Sequence, residues 1–65
     1  MHQHKAEDQL PEARRKEIFQ ALVDAQDKGM SVAQSVKFIA QHYGVSEGQV
    51  KEIEREGIDS QWPPL

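Results

Sequence analysis

The sequence predicts an all-α fold, a three-helix bundle. Three observations point there. Apolar residues recur at helical spacing in three separate stretches. Glycines at positions 29, 44 and 57 punctuate those stretches. Two serines, Ser31 and Ser46, each stand three residues ahead of a glutamine in the form of a capping box. No stretch alternates apolar and polar residues as a half-buried strand would.

Residues Met1 to Gln9 are polar and carry no apolar period, so a flexible N-terminal arm is expected over 1–9. His2 and His4 offer two imidazoles there. Two ligands on a loose arm are too few for a structural metal site, and no metal is expected. A three-helix domain is expected over 10–58, with helices at about 11–28, 32–43 and 47–56. Pro11 suits the first turn of the first helix, where its missing N–H costs nothing. Ile18, Leu22 and Ala25 share one face, widened by Phe19 and Val23 to about half the circumference on a 100° per residue wheel. A helix with so wide an apolar arc is expected to be flanked on two sides. Gly29 ends it, with Met30 placed to reach Ala25.

Ser31 starts the second helix, whose stripe is Val32, Val36, Ile39, Ala40 and Tyr43. Gly44 ends it, and Val45 is placed to reach Ala40. Ser46 starts the third helix, with Val50 and Ile53 pointing inward. Gly57 is expected to stop this helix, with Ile58 touching Ile53. Residues 59–65 are expected to form an extended C-terminal tail, since Pro63 and Pro64 forbid a helix. Trp62 is the only tryptophan and is expected to pack back over apolar surface; the alternative is a proline-flanked docking peptide.

Length and composition narrow the function. At 65 residues the chain makes one small domain, and nearly every large apolar side chain must be buried for it to fold. A catalytic cavity would compete with that core. No cysteine is present, and no H-E-x-x-H spacing, nucleophile elbow or glycine-rich phosphate loop occurs. An enzyme, a cofactor and a small-molecule substrate are therefore not expected. No apolar run exceeds three residues, which leaves no membrane span and no export-signal core, so no membrane partner and a cytoplasmic location are expected. Eleven acidic against eight basic residues give a net charge of −3, which weighs against a general binder of nucleic acid. Arg14, Arg15 and Lys16 spread around the first helix and read as a solvated first turn with helix-supporting pairs.

The second and third helices are separated by little more than Gly44 and Val45, a helix-turn-helix arrangement. Such a turn needs a small residue at the crossing (Ala40), a residue that tolerates positive φ (Gly44) and a buried aliphatic at the hinge (Val45). Val36 to Arg55 resembles the helix-turn-helix of bacterial DNA-binding proteins. Its flavour is that of the promoter-reading region of sigma factors and related regulators. Ile39, Ala40, Gly44, Val45, Ser46, Val50, Ile53, Glu54, Arg55 and Glu56 carry the resemblance.

The resemblance implies a transcription regulator that binds double-stranded DNA, with the start of the third helix in the major groove. Carried over residue by residue, the base-reading positions are Ser46, Glu47, Gly48, Gln49 and Lys51. With Val50 and Ile53 inward, the outward arc of the helix is centred near Gly48, Lys51 and Arg55, with Glu52 beside them. The expected contacts are therefore Ser46, Gly48, Gln49, Lys51 and Arg55. The sequence departs from the pattern at Glu47, where sigma-like members usually place a basic residue. Glu47, Glu52, Glu54 and Glu56 outnumber Lys51 and Arg55 on this helix. Glu47 and Lys51 are spaced to pair with each other. A second reading follows from those acids: a protein-interaction module that keeps the helix-turn-helix scaffold without binding DNA. Its expected contact residues are Phe38, which lies opposite the stripe of the second helix, and Trp62. They would serve a homodimer or another protein, unless Trp62 and the prolines themselves cover Phe38. His42, near Phe38 on the wheel, reads as a surface histidine.

Overall fold

The computed structural model describes residues 10–65, and within them the chain forms three α-helices and no strand. These are α1 (Glu12–Asp27), α2 (Val32–Tyr43) and α3 (Glu47–Ser60). The arm expected over 1–9, with His2 and His4, lies outside the described residues. Each helix packs against the other two. α1 is flanked on two sides, as its wide apolar arc demands, and it buries Ile18, Phe19, Leu22 and Ala25. These meet Val36, Ile39 and Ala40 of α2 and Val50 and Ile53 of α3 in one core. Withdrawing a side chain of this size from water stabilises by roughly 1.5–3 kcal/mol, so this one cluster is what holds so short a chain folded.

The stops after α1 and α2 are as expected. Gly29 (φ +110°) and Gly44 (φ +71°) both occupy the left-handed region that favours glycine. Behind them Met30 N–H donates to the Ala25 carbonyl at 3.2 Å and Val45 N–H to the Ala40 carbonyl at 3.0 Å, closing the last turns.

α3 departs from expectation. It does not end near residue 56 but continues through Gly57 to Ser60. Gly57 is a buried mid-helix residue, and a Cβ placed on it would lie 2.3 Å from Cδ1 of Phe19. The glycine lets the Phe19 ring lie directly against the α3 backbone; it is a contact, not a stop. The stop is Gln61, in the left-handed region at φ 53°, ψ 49°. Its N–H donates to the Ile58 carbonyl, and the Trp62 N–H reaches back to the Gly57 carbonyl at 2.9 Å. Ile58 consequently does not cover Ile53; it is 54% exposed.

The expected extended tail over 59–65 is therefore shorter and more curled. Asp59 and Ser60 are helical, and the Leu65 N–H closes a turn onto the Trp62 carbonyl at 2.9 Å. Trp62 is only 6% exposed and sets its ring edge-on to Phe19 at 6.0 Å. Arg15 and Lys16 approach the same ring at 5.9 and 5.8 Å.

Two polar ties were not anticipated. Arg15 is not a solvated cation. Its guanidinium donates to both carboxylate oxygens of Glu56, at 2.8 and 2.9 Å, and to the Leu10 carbonyl, tying the start of α1 to the end of α3. The hydrogen-bonded Glu56 carboxylate holds the Arg15 pKa above its ordinary value, against the opposing effect of partial burial. Ser35 is fully buried and takes the inward place that the apolar stripe gives to Val32, which is 57% exposed. Gln26 Nε2 donates to Ser35 Oγ at 3.0 Å and lies 3.5 Å from Glu54 Oε2, so one amide touches all three helices. Ser35 in turn donates to the Val32 carbonyl at 2.8 Å. Among the described residues no buried side-chain polar atom is left without a partner.

Candidate nucleic-acid interface

The geometry of this face begins at the bend between α2 and α3. Three residues, Gly44 to Ser46, connect the two helices. Ser46 caps α3: its Oγ accepts from the Gln49 N–H at 3.0 Å, while Gln49 Oε1 accepts from the Ser46 N–H at 3.0 Å. The cap at Ser31 and Gln34 repeats the same reciprocal pair. Val50 and Ile53 then face the core, 0% and 3% exposed. Fixing these two inward fixes the outward arc of α3 on a 100° wheel.

Gly48, Lys51 and Arg55 occupy that arc, at spacings of three and four, and all three are exposed. Of the five residues expected to touch DNA, these three form one accessible stripe. Ser46 and Gln49 stand beside it, with the serine hydroxyl and the glutamine carbonyl engaged in the cap. Glu47, Glu52 and Asp59 are exposed on the same helix, so the face is mixed in sign.

The cations sort into two groups. Arg14 pairs with Glu17 at 3.1 Å, Lys16 with Glu12 at 3.2 Å, Lys28 with Asp24 at 3.0 Å, and Arg15 with Glu56. Lys37, Lys51 and Arg55 are exposed and make no ion pair among the described residues. The expected Glu47–Lys51 pair is thus not formed. The paired cations belong to α1 and its C-cap residue Lys28, and those without an ion pair among the described residues to α2 and α3. Arg14 pairs locally and lies 5.0 Å over the Tyr43 ring, and Arg15 is held by Glu56.

Phe38 lies elsewhere, in a groove of about 370 Å³ between α1 and α2, beside Ala25, Met30 and His42. It is 48% exposed and stacks on His42 at 6.1 Å between ring centroids. Trp62 does not cover it, because that ring is committed to Phe19 in the core. For the same reason Trp62 does not present its side chain to a partner. Among the described residues no cluster of three potential metal ligands occurs, and no helix is long and apolar enough to cross a membrane.

Sequence reasoning missed the Arg15–Glu56 tie, although a signal for it exists. Arg15 stands three residues before Ile18 and seven before Leu22, on the buried side of α1. Comparison with family models, curated proteins and solved structures finds no match for this chain.

Proposed function

We propose that the chain is a small, non-enzymatic helix-turn-helix module that binds double-stranded DNA in the manner of a transcription regulator. The observation that carries this reading is the sorting of charge. The described cations of α1 all pair with carboxylates, whereas Lys37, Lys51 and Arg55 are exposed and make no ion pair among the described residues, on the two helices that flank the turn. Lys51 and Arg55, one turn apart on the outward arc of α3, suit neighbouring phosphates or a guanine edge. The bend at Gly44 and the cap at Ser46 support the reading, since they start α3 three residues after α2 ends, with that arc exposed.

Glu47 and Glu52 limit the affinity by repelling phosphate, and one such unit makes few contacts. Two copies on adjacent half-sites would supply the rest. Binding should be visible by fluorescence anisotropy with pooled duplexes at about 20 mM salt, where phosphate attraction is least screened. Replacing Lys51 and Arg55 together by glutamine should weaken it and reduce the salt slope by about 2, since each lost phosphate contact removes about 0.9. Glu47→Gln should tighten it. Absence of binding by the folded protein at that salt would overturn the proposal.

A second reading, a protein-interaction module on the same scaffold, is favoured by the half-exposed Phe38 in its groove. It expects self-association, or capture of a protein partner, that Phe38→Ser abolishes. Sedimentation of the two proteins side by side tests the first of these.

A further inference from the structure

Three of the four glycines have a reason inside the fold. Gly29 and Gly44 adopt positive φ, and Gly57 lies against the Phe19 ring. Gly48 has none. Its φ is not in the left-handed region, and a Cβ placed on it would meet only the Ser46 hydroxyl, at an ordinary contact of 3.8 Å. Gly48 is the second residue of α3, where glycine costs less than in a helix interior, but even there it loses more backbone freedom than alanine on folding, and no packing contact offsets that loss. Gly48 is also placed on the outward arc of α3, three residues before Lys51 and seven before Arg55, cations that make no ion pair among the described residues.

We infer that Gly48 is a steric determinant of DNA binding, a bare patch of helix against which the duplex seats. The inference rests on the DNA-binding reading and assigns Gly48 a role within it. Without a side chain at this position, the first turn of α3 approaches the groove wall closely enough for Lys51 and Arg55, on the same stripe, to reach the phosphates. Any side chain here projects from the contact face into the space the duplex would occupy and holds both cations back. The effect is therefore one of distance, and it scales with the size of the added side chain.

The test uses the full chain, with Gly48→Ala and Gly48→Leu variants, titrated with pooled duplexes at low salt while thermal melting is followed in parallel. Both replacements favour helix, position 48 is exposed, and an added Cβ meets only the Ser46 hydroxyl at an ordinary contact, so both proteins should melt at the wild-type temperature or above. Gly48→Ala should nevertheless bind roughly tenfold more weakly, the scale of one lost groove contact, and Gly48→Leu more weakly still. Wild-type binding with no loss in either variant would overturn this inference and leave the DNA-binding reading standing. Failure of the wild-type protein itself to bind would overturn both.

Discussion

Gly57 and Phe19 show how much one atom decides in a chain of this size. A Cβ at position 57 would stand 2.3 Å from Cδ1 of Phe19, far inside van der Waals contact, and the ring is itself buried in the core. Gly57→Ala should therefore destabilise the protein by about 1–3 kcal/mol despite alanine's better helix propensity, read as a lower thermal midpoint. Gly48→Ala, by contrast, should leave that midpoint unchanged or raised. The pair of variants isolates packing from propensity. Arg15 and Glu56 invite a double-mutant cycle. Their bidentate geometry is good but partly solvated, so the coupling should be about 1 kcal/mol and should fall in high salt. A coupling near zero would mean that the two side chains sample other positions in solution.

At the scale of the helices, local chemistry was legible in advance and tertiary chemistry was not. Both capping boxes and the stops at Gly29 and Gly44 follow from residues within five positions of each other, and the structure has them where the spacing places them. Gly57 looks identical to those stops in the sequence. What distinguishes it is Phe19, distant along the chain, and only the packed fold brings the two together. The same holds for Gln26, whose amide touches Ser35 and approaches Glu54. On the candidate interface, the wheel placed Gly48, Lys51 and Arg55 outward correctly, because Val50 and Ile53 leave no other choice. It could not reveal that Lys51 would stay unpaired beside Glu47. The cap of α3 gives a direct check on the element itself. Ser46→Ala removes the acceptor for the Gln49 N–H and should cost about 1 kcal/mol, measured by chemical denaturation.

For the molecule as a whole, the C-terminus matters more than its proline content suggests. Trp62 closes the core over Phe19 and lies beside Arg15 and Lys16. Truncating a buried tryptophan to alanine costs about 3–5 kcal/mol, comparable to the entire stability of a domain this small. Trp62→Ala should accordingly leave the chain largely unfolded at room temperature by circular dichroism, and a native-like spectrum would contradict the role given to this ring. The same molecule separates its two candidate contact surfaces. The arc of Gly48, Lys51 and Arg55 lies on α3, and the Phe38 groove lies between α1 and α2. Titrating isotope-labelled protein with a duplex at low salt, and following backbone amides by NMR, tests the functional account most directly. The account predicts shifts concentrated in residues 46–55, with Lys37 included. Shifts confined to Ala25, Met30, Phe38 and His42, or none at all, would contradict it.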